Sequence, residues 1–295
     1  MIKIAMLGCD SSHTEAYTEL LHDANSEFFG KARVVSLWGE NQQQAKEKAA
    51  LLQIELVANT PEEAIEDADV VFVSGRYGES HFYPAAIAIN ALKPTYVDKP
   101  FANDWKEAKA LSDLAKQKNV ALCSFTPLLH SKEFNALQID LQELNGLHSV
   151  FVSGPADSTF LQTQQSKKLP FYGVHVSDLT MAICGVGITS VYALKTDKAI
   201  TAMAQHKSGV HITMNFAYGV KELYDVSIYG TEKVMHCAID SWGDFYHNTL
   251  RYLLENMRTG ANSHYSLEQS CESIALLNAI ELSIKTNKFV DIEIY

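Results

Sequence analysis

The feature that most constrains the fold is the alternation of short apolar runs with helical patterns along residues 1–122. The apolar runs are 1–8, 32–38, 69–73, 95–97 and 120–122, and the helical patterns are 14–22, 41–52, 83–92 and 104–118. Strands that alternate with helices at this spacing need crossover connections, which make the strands parallel in one sheet with helices on both faces. The sequence therefore predicts an α/β, doubly wound parallel sheet that binds ligands at the carboxyl ends of its strands.

The pattern changes after Cys123-Ser124, where strand-like segments follow one another through turns. These segments are 149–153, 191–194, 209–216, 224–229 and 289–294, with helical patterns at 173–184, 244–258 and 266–286. Consecutive strands joined by turns indicate an open, mainly antiparallel sheet. A chain of 295 residues with 47% hydrophobic content can fill two cores. We therefore expect two domains, residues 1–123 and residues 124–295, the second of them an α+β domain.

Charge and composition argue against several classes of protein. The net charge is −11 and no basic stripe is evident, so we expect no nucleic-acid partner. No apolar stretch approaches the ~20 residues of a membrane helix, and the amino terminus lacks the pattern of a signal peptide. The five cysteines have no CxxC spacing and the eleven histidines form no zinc motif, so we expect neither a disulfide framework nor a metal site. We expect a cytoplasmic protein.

One short segment, Val97-Asp98-Lys99-Pro100-Phe101, joins an apolar run to a helical pattern. A lysine at the carboxyl end of a strand, between an acidic neighbour and a proline, can hydrogen-bond a hydroxylated substrate and relay its proton. The structural alternative is a surface turn in which Pro100 ends the strand and Lys99 is solvated. The position of Lys99 at the ligand-binding edge of the predicted sheet favours the functional interpretation.

Several motifs in order resemble the Gfo/Idh/MocA family of NAD(P)-dependent, sugar-type dehydrogenases. Asp98-Lys99-Pro100 resembles the family's Glu-Lys-Pro motif with Asp in place of Glu, and the surrounding segment 76–104, which includes His81, is also similar. In the second half, segment 173–178 resembles Gly-Val-His-x-x-Asp, and segment 229–232 resembles Tyr-Gly-Thr-Glu. The resemblance spans nearly the whole chain. It implies a Rossmann-type dinucleotide-binding domain followed by a substrate-binding and oligomerisation domain.

The first turn, residues 8–13, departs from the Gly-x-Gly-x-x-Gly pattern of a dinucleotide site, because only Gly8 is kept. Asp10 stands where the second glycine lets the backbone approach a pyrophosphate. At an effective dielectric constant near 20, two like unit charges ~4 Å apart repel by about 4 kcal/mol. Two outcomes remain open. Either Asp10 turns away and caps the following helix, which leaves Ser11 and Ser12 to hold phosphate, or the site has changed or lost its ligand.

The end of the second strand supplies a candidate for binding the adenosine ribose. Glu40 is the nearest acid, with Trp38 beside it for the adenine, although Glu40 could equally be an exposed acid at a helix start. No basic residue stands between Trp38 and Gln44, which favours NAD over NADP. His13 matches a histidine found early in this helix in the family, and a packing or capping role is its alternative.

The resemblance also implies the chemistry. Lys99 and His175 would flank the carbinol of the substrate, with Lys99 holding its oxygen and His175 acting as acid or base. The family places an aspartate four residues before this histidine, where this chain has Phe171. Asp178 lies three residues after His175, shares a helical face with it and is the expected substitute. A packing or capping role is the alternative for Asp178.

The residues around this histidine favour a pocket that is more apolar than a polyol needs. They are Phe171, Tyr172, Phe160 and Leu161. A substrate with fewer hydroxyl groups, or with a ring, would suit such a pocket.

We therefore predict an oxidoreductase that transfers a hydride between a nicotinamide cofactor, NAD or else NADP, and a secondary alcohol or ketone of a small, sugar-derived molecule. The competing hypothesis, favoured by Asp10 and Phe171, is a non-catalytic ligand-binding protein that has lost the dinucleotide. The open sheet needs cover, so we expect a homodimer or homotetramer. The catalytic candidates are Lys99, His175 and Asp178, and the cofactor-binding candidates are Gly8, Asp10, Ser11, Ser12, His13, Glu40, Ser74, Arg76, His81, Asp98 and Lys99.

Overall fold

The first half of the chain folds around one parallel sheet. The structure is a computed structural model that describes residues 1–157, 163–164, 168–240, 244–257 and 265–292. The strands are β1 (Ile2–Leu7), β2 (Ala32–Trp38), β3 (Leu56–Val57), β4 (Val70–Val73), β5 (Thr95–Val97) and β6 (Leu122–Cys123). They pair in the order β3-β2-β1-β4-β5-β6, and every pair is parallel. This is the doubly wound order, so the prediction of the fold class is confirmed.

Five helices connect these strands and cover both faces of the sheet. They are α1 (Ser12–His22), α2 (Gln42–Leu52), α3 (Pro61–Ile65), α4 (Phe82–Asn90) and α5 (Trp105–Lys118). Polar side chains begin several of them: Asn41, Thr60 and Asp104 each accept a hydrogen bond from a backbone amide of the first turn. All four residues of β4 are buried, as expected for a central strand that is covered on both faces.

The second half is built on a larger sheet. Its strands are β7 (Leu147–Pro155), β8 (Ile188–Lys195), β9 (Ala199–His206), β10 (His211–Ala217), β11 (Tyr224–Gly230), β12 (Val234–Ile239) and β13 (Val290–Asp291). The order is β12-β11-β7-β10-β9-β8-β13, and the pairs are antiparallel except for β7 with β10. The mainly antiparallel sheet is confirmed. The end of the predicted last strand, 293–294, and Arg258 lie outside the described residues.

One face of this sheet packs on helices and the other is open. The helices of this half are α6 (Lys132–Leu141), α7 (Leu169–Cys184), α8 (Phe245–Asn256) and α9 (Leu267–Thr286). Helices α7 and α9 pack together beneath the sheet, against strands such as β7 and β8. Within the described ranges, no helix combines the length and the apolar character needed to cross a bilayer.

Polar contacts hold the two halves together. The side chain of Asn278, on α9, accepts a hydrogen bond from the Trp105 amide (3.0 Å) and donates one to the carbonyl oxygen of Asn103 (2.9 Å). Helix α8 lies against α1, which brings its aromatic residues over the carboxyl edge of the parallel sheet. The domain boundary at residue 123 stays a prediction.

Candidate active site

Two neighbouring cavities lie at the carboxyl ends of the parallel strands. The first, which we call the turn cavity, has a volume of about 140 Å³, and the second, which we call the lysine pocket, has a volume of about 280 Å³. The turn cavity is lined by Leu7, Gly8, Cys9, Asp10, Trp38, Glu40, Asn41, Gln44, Gly75 and Ser80. The lysine pocket is lined by Ser12, His13, Lys99, Pro127, Leu128, Tyr172, His175, Glu222, Phe245 and Tyr246.

The turn cavity is shaped by close contact between the ends of β1 and β4. Gly8 has a φ of +125°, and a Cβ atom there would lie 2.3 Å from the backbone nitrogen of Gly75. Beneath this contact, the Ser74 hydroxyl is 2.9 Å from that of Thr14 and donates to the Gly8 carbonyl oxygen (3.4 Å). Ser74 is fully buried and its hydroxyl holds the turn from below, so its cofactor contact stays a prediction.

Asp10 turns away from the helix, but it does not cap it. Its Oδ1 atom accepts a hydrogen bond from the backbone amide of Arg76 (3.0 Å), while Ser11 caps α1 by accepting from the His13 amide (3.1 Å). The prediction that Asp10 caps α1 is therefore wrong. The Arg76 guanidinium donates to the Asp10 carbonyl oxygen through Nε (2.7 Å) and also through Nη2. The positive charge of Arg76 therefore lies beside the turn that carries the Asp10 carboxylate, which would repel a phosphate.

These features fit a dinucleotide. Gly8 keeps the turn tight, the N-terminus of α1 favours an anion, and Arg76 offsets the charge of Asp10. At the other end of the cavity, Glu40 and Trp38 are both in the lining, as predicted for the adenosine side. Glu40 is exposed and directly precedes Asn41, the residue that caps α2, so the alternative of an exposed acid at a helix start stays open.

His81 does not belong to either cavity. Its ring is fully buried, with Nδ1 2.8 Å from the Pro100 carbonyl oxygen and Nε2 2.7 Å from the Gly75 carbonyl oxygen. Both ring nitrogens are thus used within the protein. His81 ties the loop after β4 to the segment that carries Lys99, and its cofactor contact stays a prediction.

Lys99 is buried in the pocket rather than solvated, so the surface-turn alternative is wrong. Lys99 is 8% exposed, and its Nζ atom lies 5.5 Å from the ring centroid of Phe171 and 5.7 Å from that of Tyr172. Ring faces at this distance attract a cation. Burial lowers the pKa of the Lys99 ammonium, and the carboxylates of Asp98 and Glu222 oppose part of that shift.

Asp98 lies behind Lys99 and is almost completely buried. Its Oδ1 atom accepts from the Lys99 amide (2.8 Å) and the Tyr96 hydroxyl (3.2 Å), and its Oδ2 atom is 2.6 Å from Nδ1 of His13. Burial alone raises the pKa of Asp98, but His13 and Lys99 outweigh it and lower that pKa to about 2. Both carboxylate oxygens of Asp98 have partners inside the protein, and its cofactor contact stays a prediction.

His175 enters the pocket from α7 and is oriented by a residue that the sequence analysis missed. Its Nδ1 atom lies 2.6 Å from Oγ1 of Thr126, at the start of the 3₁₀ helix Pro127–His130. Burial, together with the charges of Lys99 and His13, holds the pKa of His175 well below its ordinary value. No local motif marks Thr126, because its role arises only from the packing of two distant segments.

Asp178 supports His175 indirectly. Its carboxylate accepts from the Thr126 amide (2.8 Å), the Ser273 hydroxyl (2.6 Å) and the Tyr265 hydroxyl (2.9 Å) rather than from His175. Burial raises the pKa of Asp178 to about 6, although these hydrogen bonds oppose the shift. The expectation that Asp178 interacts with His175 directly is therefore wrong. It fixes Thr126, which in turn holds the imidazole.

The pocket is more polar than the sequence analysis expected. The Tyr172 hydroxyl donates to Glu222, whose carboxylate comes from the loop between β10 and β11 and lines the pocket. The Phe171 ring packs against those of Tyr77 (5.3 Å) and Tyr172 (5.3 Å). Phe160 and Leu161 lie outside the described residues. Glu222 had no recognisable motif, because only the fold carries its loop to the lysine.

Comparisons with known proteins agree with this architecture. Residues 2–125 match the model of the GFO_IDH_MocA family, described as an oxidoreductase family with an NAD-binding Rossmann fold. No significant match is found among curated protein sequences. In the part of the chain that the structure describes, no three His, Cys, Asp or Glu side chains are grouped as a metal site would require.

Solved structures share the fold over the whole chain at low identity. A probable dehydrogenase from Thermotoga maritima is 15% identical with a TM-score of 0.85, covering 99% of both chains. The scyllo-inositol dehydrogenase of Lactobacillus casei with NAD(H) and scyllo-inositol is 12% identical with a TM-score of 0.84, covering 99% of both chains. The myo-inositol dehydrogenase of L. casei with NAD(H) and myo-inositol is 14% identical with a TM-score of 0.85, covering 99% of this chain and 97% of that one.

Proposed function

We propose that this chain, whose amino-terminal domain belongs to the Gfo/Idh/MocA oxidoreductase family with an NAD-binding Rossmann fold, is a dehydrogenase. It interconverts a secondary alcohol and a ketone on a small, sugar-derived molecule. The observation that carries the proposal is the shared lining of the lysine pocket by Lys99 and His175, next to a cavity at the β1 turn. The inositol ligands of the similar structures suggest cyclic polyols as the first substrates to test.

Each side chain of the pocket has a role that its surroundings support. Lys99 is a donor-only cation whose surroundings favour an electron-rich oxygen as its partner, so it binds the substrate oxygen. Burial lowers the pKa of His175 and so favours its neutral form. The neutral ring hydrogen-bonds to the same substrate oxygen. Glu222 accepts a hydrogen bond from a second hydroxyl of the substrate. The aromatic residues Phe245 and Tyr246 cover the apolar face of the ring and exclude water.

The turn cavity would hold the cofactor. Gly8 and the first amides of α1 would hold the pyrophosphate, Arg76 would contribute positive charge, and Glu40 would accept hydrogen bonds from the adenosine ribose. When bound, the nicotinamide supplies the hydride acceptor. An additional phosphate on the ribose would be repelled by Glu40, which supports NAD rather than NADP.

We expect the purified protein to bind NADH at least tenfold more tightly than NADPH, because Glu40 repels the ribose phosphate. Titration followed by nicotinamide fluorescence and by melting temperature measures both dissociation constants. Glu40→Gln should narrow the difference between the dissociation constants for NADH and NADPH. Glu47→Gln, on the exposed side of α2, should leave that difference unchanged. If neither nucleotide binds at millimolar concentration, the dehydrogenase is refuted and a binding protein that has lost the dinucleotide takes its place.

The open face of the second sheet supports a homo-oligomer. Register places large apolar side chains from five strands on this one face. They are Phe151, Leu194, Met203, Tyr229 and Val234, each between 44% and 60% exposed. Large apolar side chains exposed on one face of a sheet often mark an interface. We include in the proposal a homodimer or homotetramer formed through this face.

Met203→Glu should disrupt that assembly, because it places a charge in the centre of the apolar face, where the wild-type side chain is 51% exposed. Size-exclusion chromatography with light scattering should show a shift from oligomer to monomer and little change in secondary structure. The control is Leu51→Glu, an apolar position on α2 that is 68% exposed. A monomeric wild type, or an oligomer that survives Met203→Glu, would contradict this interface.

A further inference from the structure

The lysine pocket contains a second histidine whose surroundings differ from those of His175. His13 is the second residue of α1, and it lines the pocket beside Lys99. It was expected to contact a cofactor or to pack, and the turn cavity does not include it in its lining. The partners of the two imidazoles decide which of them can best take up a proton.

His13 is backed by a buried carboxylate. Its Nδ1 atom is 2.6 Å from Oδ2 of Asp98, which stays ionised because its pKa is lowered to about 2. A carboxylate this close favours a proton on Nδ1 and stabilises a positive charge on the ring, which leaves Nε2 as the nitrogen that can accept a proton from a ligand. Among the described residues, Nε2 has no hydrogen-bond partner. A ligand in the pocket can therefore reach it.

The orientation of this ring is fixed by its neighbours. The Tyr246 ring meets the His13 ring edge-on at a centroid distance of 4.9 Å and an angle of 72°, and Tyr17 makes a similar contact at 6.5 Å. Asp98 is itself immobilised by the Lys99 amide and the Tyr96 hydroxyl. The dyad is thus preorganised before any substrate binds, as proton transfer requires.

His175 is less suited to take up a proton. Its Nδ1 atom faces the hydroxyl of Thr126 rather than a carboxylate, and its pKa is held well below its ordinary value by burial and by the charges of Lys99 and His13. A ring in this position favours the neutral state. It can donate or accept a hydrogen bond, but a positive charge on it has no carboxylate partner within the described residues.

We propose that the His13–Asp98 pair is the proton-accepting dyad of the lysine pocket, and that His175 is a neutral hydrogen-bonding group. This inference rests on the proposed function for its reaction. The O–H bond of the carbinol breaks and its proton passes to Nε2 of His13. The C–H electron pair leaves as hydride to the nicotinamide, which is reduced, while the C–O bond becomes a carbonyl and the substrate is oxidised.

The first test is the protonation state of His13, which needs no substrate. In protein labelled with ¹⁵N on its histidine rings, we expect the neutral ring of His13 to carry its proton on Nδ1. His13→Gln and His175→Gln assign the signals. Asp98→Asn should remove this preference for Nδ1. The other titratable groups close to the ring are Lys99, His175, Glu222, Tyr17 and Tyr246.

The second test measures turnover of NAD with myo-inositol, scyllo-inositol and a panel of aldoses. We expect His13→Ala to lower kcat at least 100-fold with unchanged NADH affinity, and added imidazole to restore part of it, which a structural role would not allow. His175→Ala should not be rescued. Full activity of His13→Ala, or an Nε2-protonated ring in the wild type, overturns the dyad. If the wild type turns over nothing although NADH binds, the proposed reaction fails, while the NMR result still decides whether the dyad exists.

Discussion

Replacing Lys99 with methionine should lower kcat by about 10²–10⁴-fold, the usual contribution of one positioned proton-transfer or oxygen-binding group. The ammonium is the cation that the rings of Phe171 and Tyr172 hold against the substrate oxygen. Methionine fills a similar volume without a donor. Steady-state reduction of NAD by the best polyol measures the loss, and NADH titration shows whether the cofactor site is intact.

The same substitution should not unfold the protein. Burial lowers the folded-state pKa of Lys99 below its unfolded value, so the charged form destabilises the fold at neutral pH. That penalty is present at low pH and disappears as the pH rises through the folded-state pKa toward the unfolded one. Lys99→Met removes it, so its melting temperature should equal or exceed that of the wild type at pH 7. Lys109→Met, on the exposed side of α5, is the activity control; equal turnover in both variants would remove Lys99 from the site.

The parts of the fold that sequence predicts well are those where local pattern and burial agree. β1 and β4 are apolar runs because they are covered on both faces. Helix α9 is marked at its start by Ser266, which forms a capping box. β9 was missed because two of its four buried positions are alanine and one is histidine, which gives a weak alternation of hydrophobicity. β3 and α3 were missed because two and five residues are too short to show a period.

The site was only partly predictable for a different reason. Lys99 and His175 stand in motifs, so their types and spacing were visible. The roles of Thr126 and Glu222 could not be predicted, because each depends on contact between segments that are distant in sequence. The pairing of His13 with Asp98 likewise depends on how α1 lies on β5. Sequence patterns report on neighbours along one element, whereas these contacts join different elements.

Gly8 is the residue of the turn whose replacement should do the most damage. A Cβ atom there would lie 2.3 Å from the Gly75 nitrogen and 2.6 Å from the Ser74 carbonyl carbon, and both are backbone atoms that cannot rotate away. The φ of +125° adds strain for any residue with a side chain. Relief of the clash has to separate the ends of β1 and β4, next to the fully buried hydrogen bond between Ser74 and Thr14 of α1.

We therefore expect Gly8→Ala to lower the free energy of unfolding by about 3–5 kcal/mol, at the upper end of single substitutions, and to abolish NADH binding. Urea unfolding and NADH titration measure the two effects. Gly30→Ala is the matched control, because Gly30 also has a positive φ, +75°, but a Cβ atom there meets nothing within 4 Å. Its cost should be only the 1–2 kcal/mol of left-handed strain, with NADH binding intact. Equal losses in the two variants would mean that backbone strain, and not the closeness of β1 to β4, makes glycine necessary at this turn.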